Sequence, residues 1–366
     1  MSNTQRKNVP ELRFPGFEGE WEEKKLESII KVNSGKDYKH LDKGDIPVYG
    51  TGGYMTSVSE PLSEIDAVGI GRKGTINKPY LLEAPFWTVD TLFYCTPKKE
   101  TDILFILSLF RKINWKVYDE STGVPSLSKQ TINKINRFVP TNKEQQKIGK
   151  FFSKLDRQIE LEEQKLELLQ QQKKGYMQKI FSQELRFKDE NGNDYPEWEE
   201  TTIKEIAQIN TGKKDTKDAI TNGSYDFYVR SPIVYKINTF SYEGEAILTV
   251  GDGVGVGKVF HYVNGKFDYH QRVYKISDFK NYYGLLLFYY FSQNFLKETK
   301  KYSAKTSVDS VRKDMVANMK VPRPIYIEQE KIGQFIKKVD NKINIQKQVI
   351  ELLKQHKKAL LQKMFI

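Results

Sequence analysis

Two stretches of the chain repeat one pattern of apolar and polar positions. Residues 144–181 and 328–365 align without a gap at an offset of 184, and 19 of the 38 aligned residues are identical. Both stretches lack proline and are rich in Glu, Lys, Gln and Leu, which favour helix. The sequence therefore predicts two long helices, each about 55–60 Å in length at ~1.5 Å per residue.

Apolar residues recur at intervals of three and four along one face of each predicted helix, which is the pattern of a coiled-coil seam. The first seam consists of Phe152, Leu155, Ile159, Leu166, Leu169, Tyr176 and Ile180, and the second of Ile336, Val339, Ile343, Ile350, Leu353, Leu360 and Met364. Polar residues interrupt each seam at two equivalent positions: Glu162 and Lys173 in the first helix, Gln346 and Lys357 in the second.

An antiparallel pairing of the two helices brings these polar residues together. In one register Glu162 lies beside Lys357, and Lys173 lies beside Gln346. A polar residue in the seam lowers stability but can fix the register. The alternative is that all four side chains reach solvent from the helix surface.

The repeat extends into the segments that precede the helices. Leu12-Arg13-Phe14 returns as Leu185-Arg186-Phe187, and EWEEKKLESIIKVNSGK (20–36) returns as EWEETTIKEIAQINTGK (197–213). An internal repeat decides the architecture before local propensity does. We expect four segments: a globular domain at 1–140, a helical spacer at 141–184, a globular domain at 185–322 and a helical spacer at 323–366.

The interior of each globular segment predicts an α+β fold. Residues 67–95 and 245–276 combine glycine turns with β-branched and aromatic residues, as strands do, and Asn264-Gly265 is a hairpin signal. The apolar runs 102–113 and 282–299 predict helices. The expected fold is therefore two α+β globular domains related by an internal repeat and joined by two long helices that form an antiparallel coiled coil.

Composition indicates a protein of a reducing compartment. The single cysteine, Cys95, excludes an internal disulfide framework. The first residues lack the apolar segment of a signal peptide, and the longest apolar runs, 103–110 and 282–291, are too short to span a membrane. We expect a cytoplasmic protein without a membrane partner.

The net charge of +12 favours a polyanionic partner. The predicted helical segments carry +2 (141–184) and +6 (323–366), whereas each globular segment carries +2. Charged residues are also the ordinary composition of a solvated helix face, so the charge alone does not identify DNA binding.

Two glycine-rich stretches approach nucleotide-binding motifs without meeting their requirements. Residues 69–74 fit the dinucleotide spacing, but Pro79 excludes the helix that this motif must open. In 252–258 Asp252 replaces the first glycine of a P-loop, and Val259 replaces the residue that binds magnesium. The four histidines lack partners at metal-ligand spacing. We therefore expect bent strands or loops here, and neither a catalytic residue nor a cofactor or metal site.

Polar and basic residues between the predicted strands are the candidates for DNA contact. In the first globular segment they are Lys36, Lys39, His40, Arg72, Lys73, Asn77, Lys78, Ser121, Thr122 and Lys129. In the second they are Lys213, Lys214, Lys217, Arg230, Lys236, Asn238, Lys258, His270, Gln271, Arg272, Lys297, Lys300, Lys301 and Lys305. Lysine contacts phosphates, whereas Arg, Asn and Gln can read base edges in the major groove. The sequence leaves open whether Arg72 or Arg272 reads guanine or holds a phosphate.

Further repeated residues mark the entry to each helix and the opening of each globular segment. They are Pro140 with Glu144-Gln145-Gln146-Lys147-Ile148 and Asp156, Pro322 with Glu328-Gln329-Glu330-Lys331-Ile332 and Asp340, and Trp21 and Trp198 with Asn33-Ser-Gly35 and Asn210-Thr-Gly212. In these residues, and in the order of variable domains and near-identical helices, the chain resembles the specificity subunits of type I restriction–modification systems. The resemblance covers essentially the whole chain.

The resemblance implies that each globular segment is a target-recognition domain for one half of a bipartite site in double-stranded DNA. The helices would fix the spacer length and dock two methyltransferase (modification) subunits, and restriction/translocase subunits would join them. Methyl transfer from S-adenosylmethionine and ATP-driven cleavage would belong to those partners, so this chain would be a non-catalytic subunit.

A non-enzymatic scaffold or adaptor protein is the alternative from a different class. Its helices would mediate oligomerisation, and its globular domains would bind proteins. Binding to duplex DNA that weakens steeply with salt distinguishes the two, because phosphate contacts release counterions.

Overall fold

The structure is a computed structural model that describes residues 8–301 and 310–366. The chain forms two compact units: unit 1 contains residues 1–165 and 346–366, and unit 2 contains residues 166–345. Among the described residues, no helix is both long and apolar enough to cross a bilayer.

Unit 1 is an α+β structure whose described residues form three sheets. Its elements are β1 (Glu22–Lys25), α1 (Leu26–Ile29), β2 (Ile30–Ser34), β3 (Ile46–Gly50), β4 (Gly53–Val58), β5 (Ala67–Gly71), β6 (Tyr80–Leu82), β7 (Trp87–Thr88), β8 (Leu92–Pro97), α2 (Ile103–Lys112), a 3-10 turn (Trp115–Tyr118), α3 (Lys129–Lys134), β9 (Asn136–Val139) and the beginning of α4 (Asn142–Phe181). The strands form a β1-β9 ribbon, a sheet of order β2-β8-β5-β6 and a sheet of order β4-β3-β7. The predicted helix at 102–113 is confirmed as α2.

The core of unit 1 forms where β5 and α2 pack together. All five residues of β5 are buried, and α2 buries its residues from Phe105 to Phe110. The end of the chain completes this core: the ring of Phe365 stacks on Phe105 at 5.5 Å and meets the edge of Trp21 at 6.1 Å. The chain terminus is therefore part of the hydrophobic core of unit 1.

Unit 2 is also α+β, with a larger sheet. Its elements after α4 are β10 (Glu199–Thr202), α5 (Ile203–Ile206), β11 (Gln208–Thr211), a 3-10 turn (Thr216–Asp218), β12 (Tyr225–Tyr228), β13 (Val234–Ile237), β14 (Tyr242–Val250), a 3-10 turn (Gly253–Gly255), β15 (Phe260–Tyr269), β16 (Val273–Ser277), α6 (Gly284–Lys300), α7 (Lys313–Ala317), β17 (Lys320–Arg323) and α8 (Tyr326–Met364). The strands form a β10-β17 ribbon and a sheet of order β11-β16-β14-β15-β12-β13. The predicted helix at 282–299 is confirmed as α6.

The predicted turn at Asn264-Gly265 is wrong. Both residues lie inside β15, where they pair with Glu245 and Gly244 of β14. The chain reverses instead at 251–259, a segment that includes two glycines with φ of +77° and +66°. Glycine within a long strand permits a local bend, so an Asn-Gly pair does not by itself require a hairpin.

Both units share a three-stranded antiparallel ladder, β2-β8-β5 in unit 1 and β11-β16-β14 in unit 2. The glycine that follows the first strand is required sterically in each case. A Cβ atom on Gly35 would lie 2.0 Å from the carbonyl oxygen of Val89, and one on Gly212 would lie 1.9 Å from that of Tyr269. The glycine of the repeated Asn-x-Gly sequence thus allows another backbone segment to pack closely against it in both units.

A buried glutamate in the first turn of each long helix binds the arginine of the repeated Leu-Arg-Phe segment. Glu144 accepts two hydrogen bonds from Arg13, at 2.8 and 2.7 Å, and Glu328 accepts two from Arg186, at 3.3 and 2.9 Å. The hydrogen bond to Glu144 raises the pKa of Arg13. These bidentate arginine–carboxylate pairs hold the start of each long helix against the Leu-Arg-Phe segment of the same unit.

The glutamine that follows each glutamate connects the long helix to the shorter helix packed beside it. Gln145 Oε1 accepts from the backbone N–H of Asp102 at 3.0 Å, and Gln329 Oε1 accepts from that of Tyr283 at 2.7 Å. Asp102 and Tyr283 are the N-cap residues of α2 and α6. Hydrogen bonding therefore accounts for the repetition of the Glu-Gln pair.

The long helices pair antiparallel within unit 1. Lys357 of α8 binds Asp156 of α4, and Lys354 Nζ lies 2.6 Å from Glu163 Oε1. Residue numbers rise along α4 as they fall along α8, which defines the antiparallel orientation.

The same orientation holds within unit 2. Lys173 Nζ of α4 lies 2.6 Å from Asp340 Oδ1 of α8, and the rings of Tyr176 and Phe335 meet edge to face at 5.2 Å. The predicted antiparallel coiled coil is confirmed.

The predicted register of this pairing is wrong. Lys357 contacts Asp156 instead of Glu162. Glu162 accepts a hydrogen bond of 2.6 Å from the side chain of Gln346 instead. The reason lies outside the helices: Asp156 also binds Arg111 of α2, and this partner cannot be seen in the helix pattern.

The predicted seam is also displaced at one position in each helix. The predicted seam residues are buried or partly buried except Tyr176, which is 38% exposed. Met177, at 8%, takes the buried position, and Leu361, at 9%, is more deeply buried than the partly buried Leu360. The buried positions after Lys173 and Lys357 therefore follow at intervals of four and then three residues.

Replacing Glu144 by methionine is expected to destabilise unit 1, because it leaves the guanidinium of Arg13, 17% exposed, without its carboxylate. We expect a loss of about 3 kcal/mol, the lower end of the range for a broken buried ion pair. Denaturant-dependent hydrogen exchange of the full chain, resolved by peptide, measures it.

The double variant Arg13→Met with Glu144→Met is the control, since it leaves no unpaired charge. It should lose less stability than Glu144→Met alone. Equal losses in the two variants would show that the ion pair is not what holds the helix start.

Candidate nucleic-acid interface

The candidate loops of unit 1 meet around residues 88–91, and we refer to the surface they form as surface 1. The backbone N–H of Lys36 donates to the carbonyl of Thr88 at 2.8 Å. The N–H groups of Arg72 and Lys73 donate to the carbonyl of Thr91, at 2.8 and 3.3 Å. Two basic segments that are distant in sequence are thus held on the same short connection.

The polar turn after residue 119 joins the same surface. The N–H of Gly74 donates to the carbonyl of Pro125 at 2.8 Å. Asp119 organises the turn, because it accepts from the N–H of Ser126 and from the N–H and hydroxyl of Ser121; these bonds lower the pKa of Asp119. The Ser121 hydroxyl therefore serves the turn, while Thr122 stays exposed.

The cations of surface 1 are exposed. Lys36, Arg72 and Lys73 take part in no ion pair among the described residues, and the guanidinium of Arg72 lies 5.8 Å from the centre of the Phe93 ring. The remaining candidates of this unit are exposed as well: Lys39, His40, Asn77, Lys78 and Lys129. Surface 1 therefore offers exposed basic side chains that form no ion pair within the described chain.

The β3–β4 hairpin also borders surface 1, and the sequence analysis missed it. The N–H of Val89 donates to the carbonyl of Tyr49 on β3 at 3.0 Å. On β4, Tyr54 and Met55 are 64% and 53% exposed. An apolar residue in a short strand is usually taken as core, so only the structure shows that both side chains are exposed.

The candidate loops of unit 2 meet around residues 269–272, and we refer to the surface they form as surface 2. The N–H of Gln271 donates to the carbonyl of Lys214 at 2.8 Å, and the N–H of His270 donates to the carbonyl of Tyr228 at 2.9 Å. The side-chain amide of Gln271 donates to Asp215 at 3.2 Å. Surface 2 thus joins the loop after β11, the end of β12 and the connection between β15 and β16.

His270 lies inside surface 2 and supports it. Its side chain is 2% exposed, and Nδ1 accepts the backbone N–H of Arg272 at 2.9 Å. Burial lowers the pKa of His270, and the positive charge of Arg230 lowers it further. The imidazole therefore acts as a neutral acceptor that shapes the turn before β16.

Asp252 lies between two arginines of surface 2. Its Oδ1 accepts from Nη1 of Arg230 at 3.3 Å, and its Oδ2 lies 3.7 Å from Nε of Arg272. Arg230 and Arg272 are 51% and 66% exposed, whereas Asp252 is 27% exposed. The sequence suggested both arginines as candidates but treated Asp252 only as a mismatch to a P-loop.

The other candidates of unit 2 divide into exposed and paired residues. Lys213, Lys217, Lys258, Lys297 and Lys300 are exposed. Lys236 pairs with Asp226 at 2.8 Å, Lys301 pairs with Glu298 at 2.6 Å, and Asn238 accepts from the N–H of Ser224 at 3.2 Å. Lys305 lies outside the described residues.

The two surfaces carry different side chains at corresponding backbone positions. Lys73 forms an isolated β-bridge with Ser126, and Asp252 forms one with Ser310. Each bridge residue is followed by a glycine of positive φ, +86° and +77°. A basic residue in surface 1 therefore corresponds to an acidic one in surface 2. Among the described residues, no cluster of three or more His, Cys, Asp or Glu side chains could hold a metal ion.

Known proteins resemble this chain in sequence. The specificity subunit of the type I restriction enzyme MjaVIII from Methanocaldococcus jannaschii is 25% identical over 355 residues, which cover 82% of this chain and 75% of the relative. The EcoDI specificity subunit from Escherichia coli is 25% identical over 169 residues, covering 45% and 37%.

The fold is also that of solved structures. The S subunit of a type I restriction–modification system from M. genitalium has a TM-score of 0.72 at 16% identity and covers 98% of this chain and 99% of its own. A chain from a structural study of complex assembly and conformational transition of the type I R-M system has a TM-score of 0.51 at 13% identity and covers 94% of this chain and 97% of its own.

The family described as "Type I restriction modification DNA specificity domain" matches residues 18–171 and 195–355, once for each half of the repeat. With its repeated globular units, paired long helices and exposed basic loops, this chain belongs to the family of type I restriction–modification DNA specificity proteins.

Proposed function

We propose that this chain is the sequence-reading subunit of a type I restriction–modification complex, in which surface 1 and surface 2 each contact one half of a bipartite site in duplex DNA. The observation that carries the proposal is the correspondence of the two surfaces: the same backbone connections hold different exposed side chains. A shared framework with different side chains suits two half-sites that differ in sequence.

The chemistry of the two surfaces supports contact with both phosphates and bases. Exposed lysines such as Lys36 and Lys73 neutralise phosphates, which gives affinity without sequence preference. Arginine, glutamine and asparagine side chains can discriminate base edges in the major groove. The outward-facing Tyr54 and Met55 of unit 1 add apolar groups suited to contact with thymine methyls.

The proposed domains are those that the sequence suggests: target-recognition domains at 1–140 and 185–322, with helical spacers at 141–184 and 323–366. The spacers hold the half-sites apart at a length set by the helices. Family membership favours this function over that of a scaffold or adaptor protein.

Exposed apolar residues on the paired helices are the proposed docking positions for two methyltransferase subunits. In unit 1, Leu161, Val349 and Leu352 are 48%, 36% and 64% exposed. In unit 2, Leu168 and Ile345 are 54% and 59% exposed. Leu161 and Ile345 are equivalent in the repeat, as are Leu168 and Leu352, so matching positions in the two helices suit two copies of one partner.

Catalysis in this proposal belongs to the partners. The modification subunits transfer the methyl group, and restriction/translocase subunits join them for cleavage. The relatives are named specificity subunits, which agrees with a non-catalytic role for this chain in selecting the DNA sequence.

Replacing Lys73 by alanine is expected to weaken duplex binding by the complex and to reduce the slope of log affinity against log salt by about 0.9, the value for one lost phosphate contact. The methylated sequence should stay the same, because a phosphate contact carries no base information. Binding titrations at several salt concentrations measure the slope.

Lys320→Ala is the matched control, since it removes one exposed lysine that pairs with Glu200 on the β10-β17 ribbon. Its slope should equal that of the parent chain. Salt-independent binding by the parent chain would contradict DNA contact through these surfaces.

Insertion of four residues into each long helix is expected to lengthen the spacer between the half-sites by 1–2 base pairs, because one helical turn of ~5.4 Å approaches that rise. Neither half-site should change in sequence. Single-molecule sequencing of the methylated motif gives the result, and an unchanged spacer would refute a length-setting role for the helices.

A further inference from the structure

We propose that Arg272 reads a guanine in the half-site contacted by unit 2, and that Asp252 is the residue that positions it. The inference rests on the function proposed above and assigns a base and two residues to surface 2. It follows from how the backbone and the side chain of Arg272 are each held.

The backbone of Arg272 is fixed on both sides. Its N–H donates to Nδ1 of the buried His270 at 2.9 Å, and its carbonyl accepts the N–H of Gly251 at 2.8 Å. The residue lies in the connection between β15 and β16, so a strand on each side holds it in place. The backbone position of Arg272 is therefore fixed, while its side chain is 66% exposed and accessible to a ligand.

Asp252 is the residue that contacts the charged end of the Arg272 side chain. Its Oδ2 faces Nε of Arg272 at 3.7 Å, while its Oδ1 is bound to Arg230 at 3.3 Å. The carboxylate thus lies on the Nε side of the Arg272 guanidinium. Within the described residues, the two terminal nitrogens of Arg272 make no hydrogen bond. They form the pair of parallel donors with which arginine makes a bidentate contact.

Guanine is the base that fits this pair of donors. Its major-groove edge presents two adjacent acceptors, N7 and O6, whereas adenine presents one acceptor and one donor. Arg230 is the weaker candidate because its terminal Nη1 is already bound to Asp252.

A carboxylate beside the guanidinium favours a base over a phosphate. Asp252 repels a phosphate that approaches Arg272, and it offsets part of the charge that would attract one. Lysines without a carboxylate partner, such as Lys213, are better placed for phosphates. The negative charge of Asp252 therefore disfavours a phosphate contact by Arg272 and leaves the bidentate hydrogen bonds to a base.

Unit 1 lacks this arrangement. Lys73 takes the backbone position that corresponds to Asp252, and the Arg72 guanidinium lies over the ring of Phe93. The proposed pairing of Arg272 with Asp252 therefore affects only the half-site that unit 2 contacts. A change at Arg272 should leave the other half-site unaltered.

The first test is Arg272→Lys in the full chain, produced together with its modification subunits. Lysine keeps the charge but loses the fork of donors. We expect discrimination in favour of guanine at one position of one half-site to fall by roughly 5- to 150-fold, the range for one bidentate contact. Methylome sequencing and competition between duplexes measure it. If Arg272 only held a phosphate, the methylated motif would not change.

A second measurement changes the DNA and compares the parent complex with the Arg272→Lys complex. Duplexes in which 7-deazaguanine replaces each guanine of that half-site in turn lack the N7 acceptor. One replacement should weaken binding by the parent complex and have little effect on the Arg272→Lys complex. Equal effects on both complexes, or none on the parent, would overturn the assignment.

Asp252→Asn tests the positioning role. Loss of the carboxylate should relax the preference for guanine at the same position, while affinity for unrelated duplex stays the same or rises. A purely structural role would instead weaken binding to all sequences together. Retention of the full guanine preference would show that Asp252 does not position Arg272.

Arg157→Lys is the matched control, since Arg157 is a similarly exposed arginine, 60%, paired with Glu160 on α4. It should leave both half-sites unchanged. The two proposals fail separately: absence of any bipartite methylated motif would refute the proposed function, whereas an intact motif in Arg272→Lys would refute only the guanine assignment.

Discussion

The rest of the structure depends on one ion-pair geometry that occurs twice. An aspartate of each long helix binds a lysine of the other: Asp156 with Lys357 in unit 1, and Asp340 with Lys173 in unit 2. The same aspartate also binds the globular part of its unit, through Arg111 on α2 or the hydroxyl of Tyr289 on α6. One oxygen of each carboxylate therefore binds the other long helix and sets the register. The other oxygen attaches the helix to the globular core of its unit. Because the two partners come from different elements, a shift of either helix would leave a partly buried charge unpaired, which is unfavourable.

This arrangement separates what must stay constant from what can vary. The Glu-Gln pairs at the helix starts, the arginines they bind and the close-approach glycines Gly35 and Gly212 are the same in both units, since each satisfies a backbone or charge requirement of the fold. The loops that they support carry Lys73 in one unit and Asp252 in the other. Exposed loop side chains can therefore differ between the units without altering the core, which is the physical condition for the proposed reading of two different half-sites.

Much of the fold could be predicted from the sequence because the repeat and the helical period are strong signals. The periodicity correctly predicted the two long helices and their antiparallel pairing. It also predicted the helices α2 and α6. The register was not, because the partner of Asp156 on α2 is invisible in the helix pattern. The Asn264-Gly265 turn failed because paired glycines in β14 and β15 tolerate an extended, bent strand. Among the candidate site residues, burial of His270 and the position of Asp252 between two arginines depend on contacts across the sheet, which spacing along the chain cannot show.

The central claim is that the two units divide one DNA site between them, and site-directed cleavage tests it most directly. Cys95 is buried, so a cysteine at the exposed Thr122 of unit 1 or at the exposed Lys217 of unit 2 can carry an iron chelate that cuts nearby DNA. On a duplex with the bipartite site, bound to the complete complex, the account predicts cuts confined to one half-site from position 122 and to the other half-site from position 217. Cuts in the same half-site from both positions would contradict it.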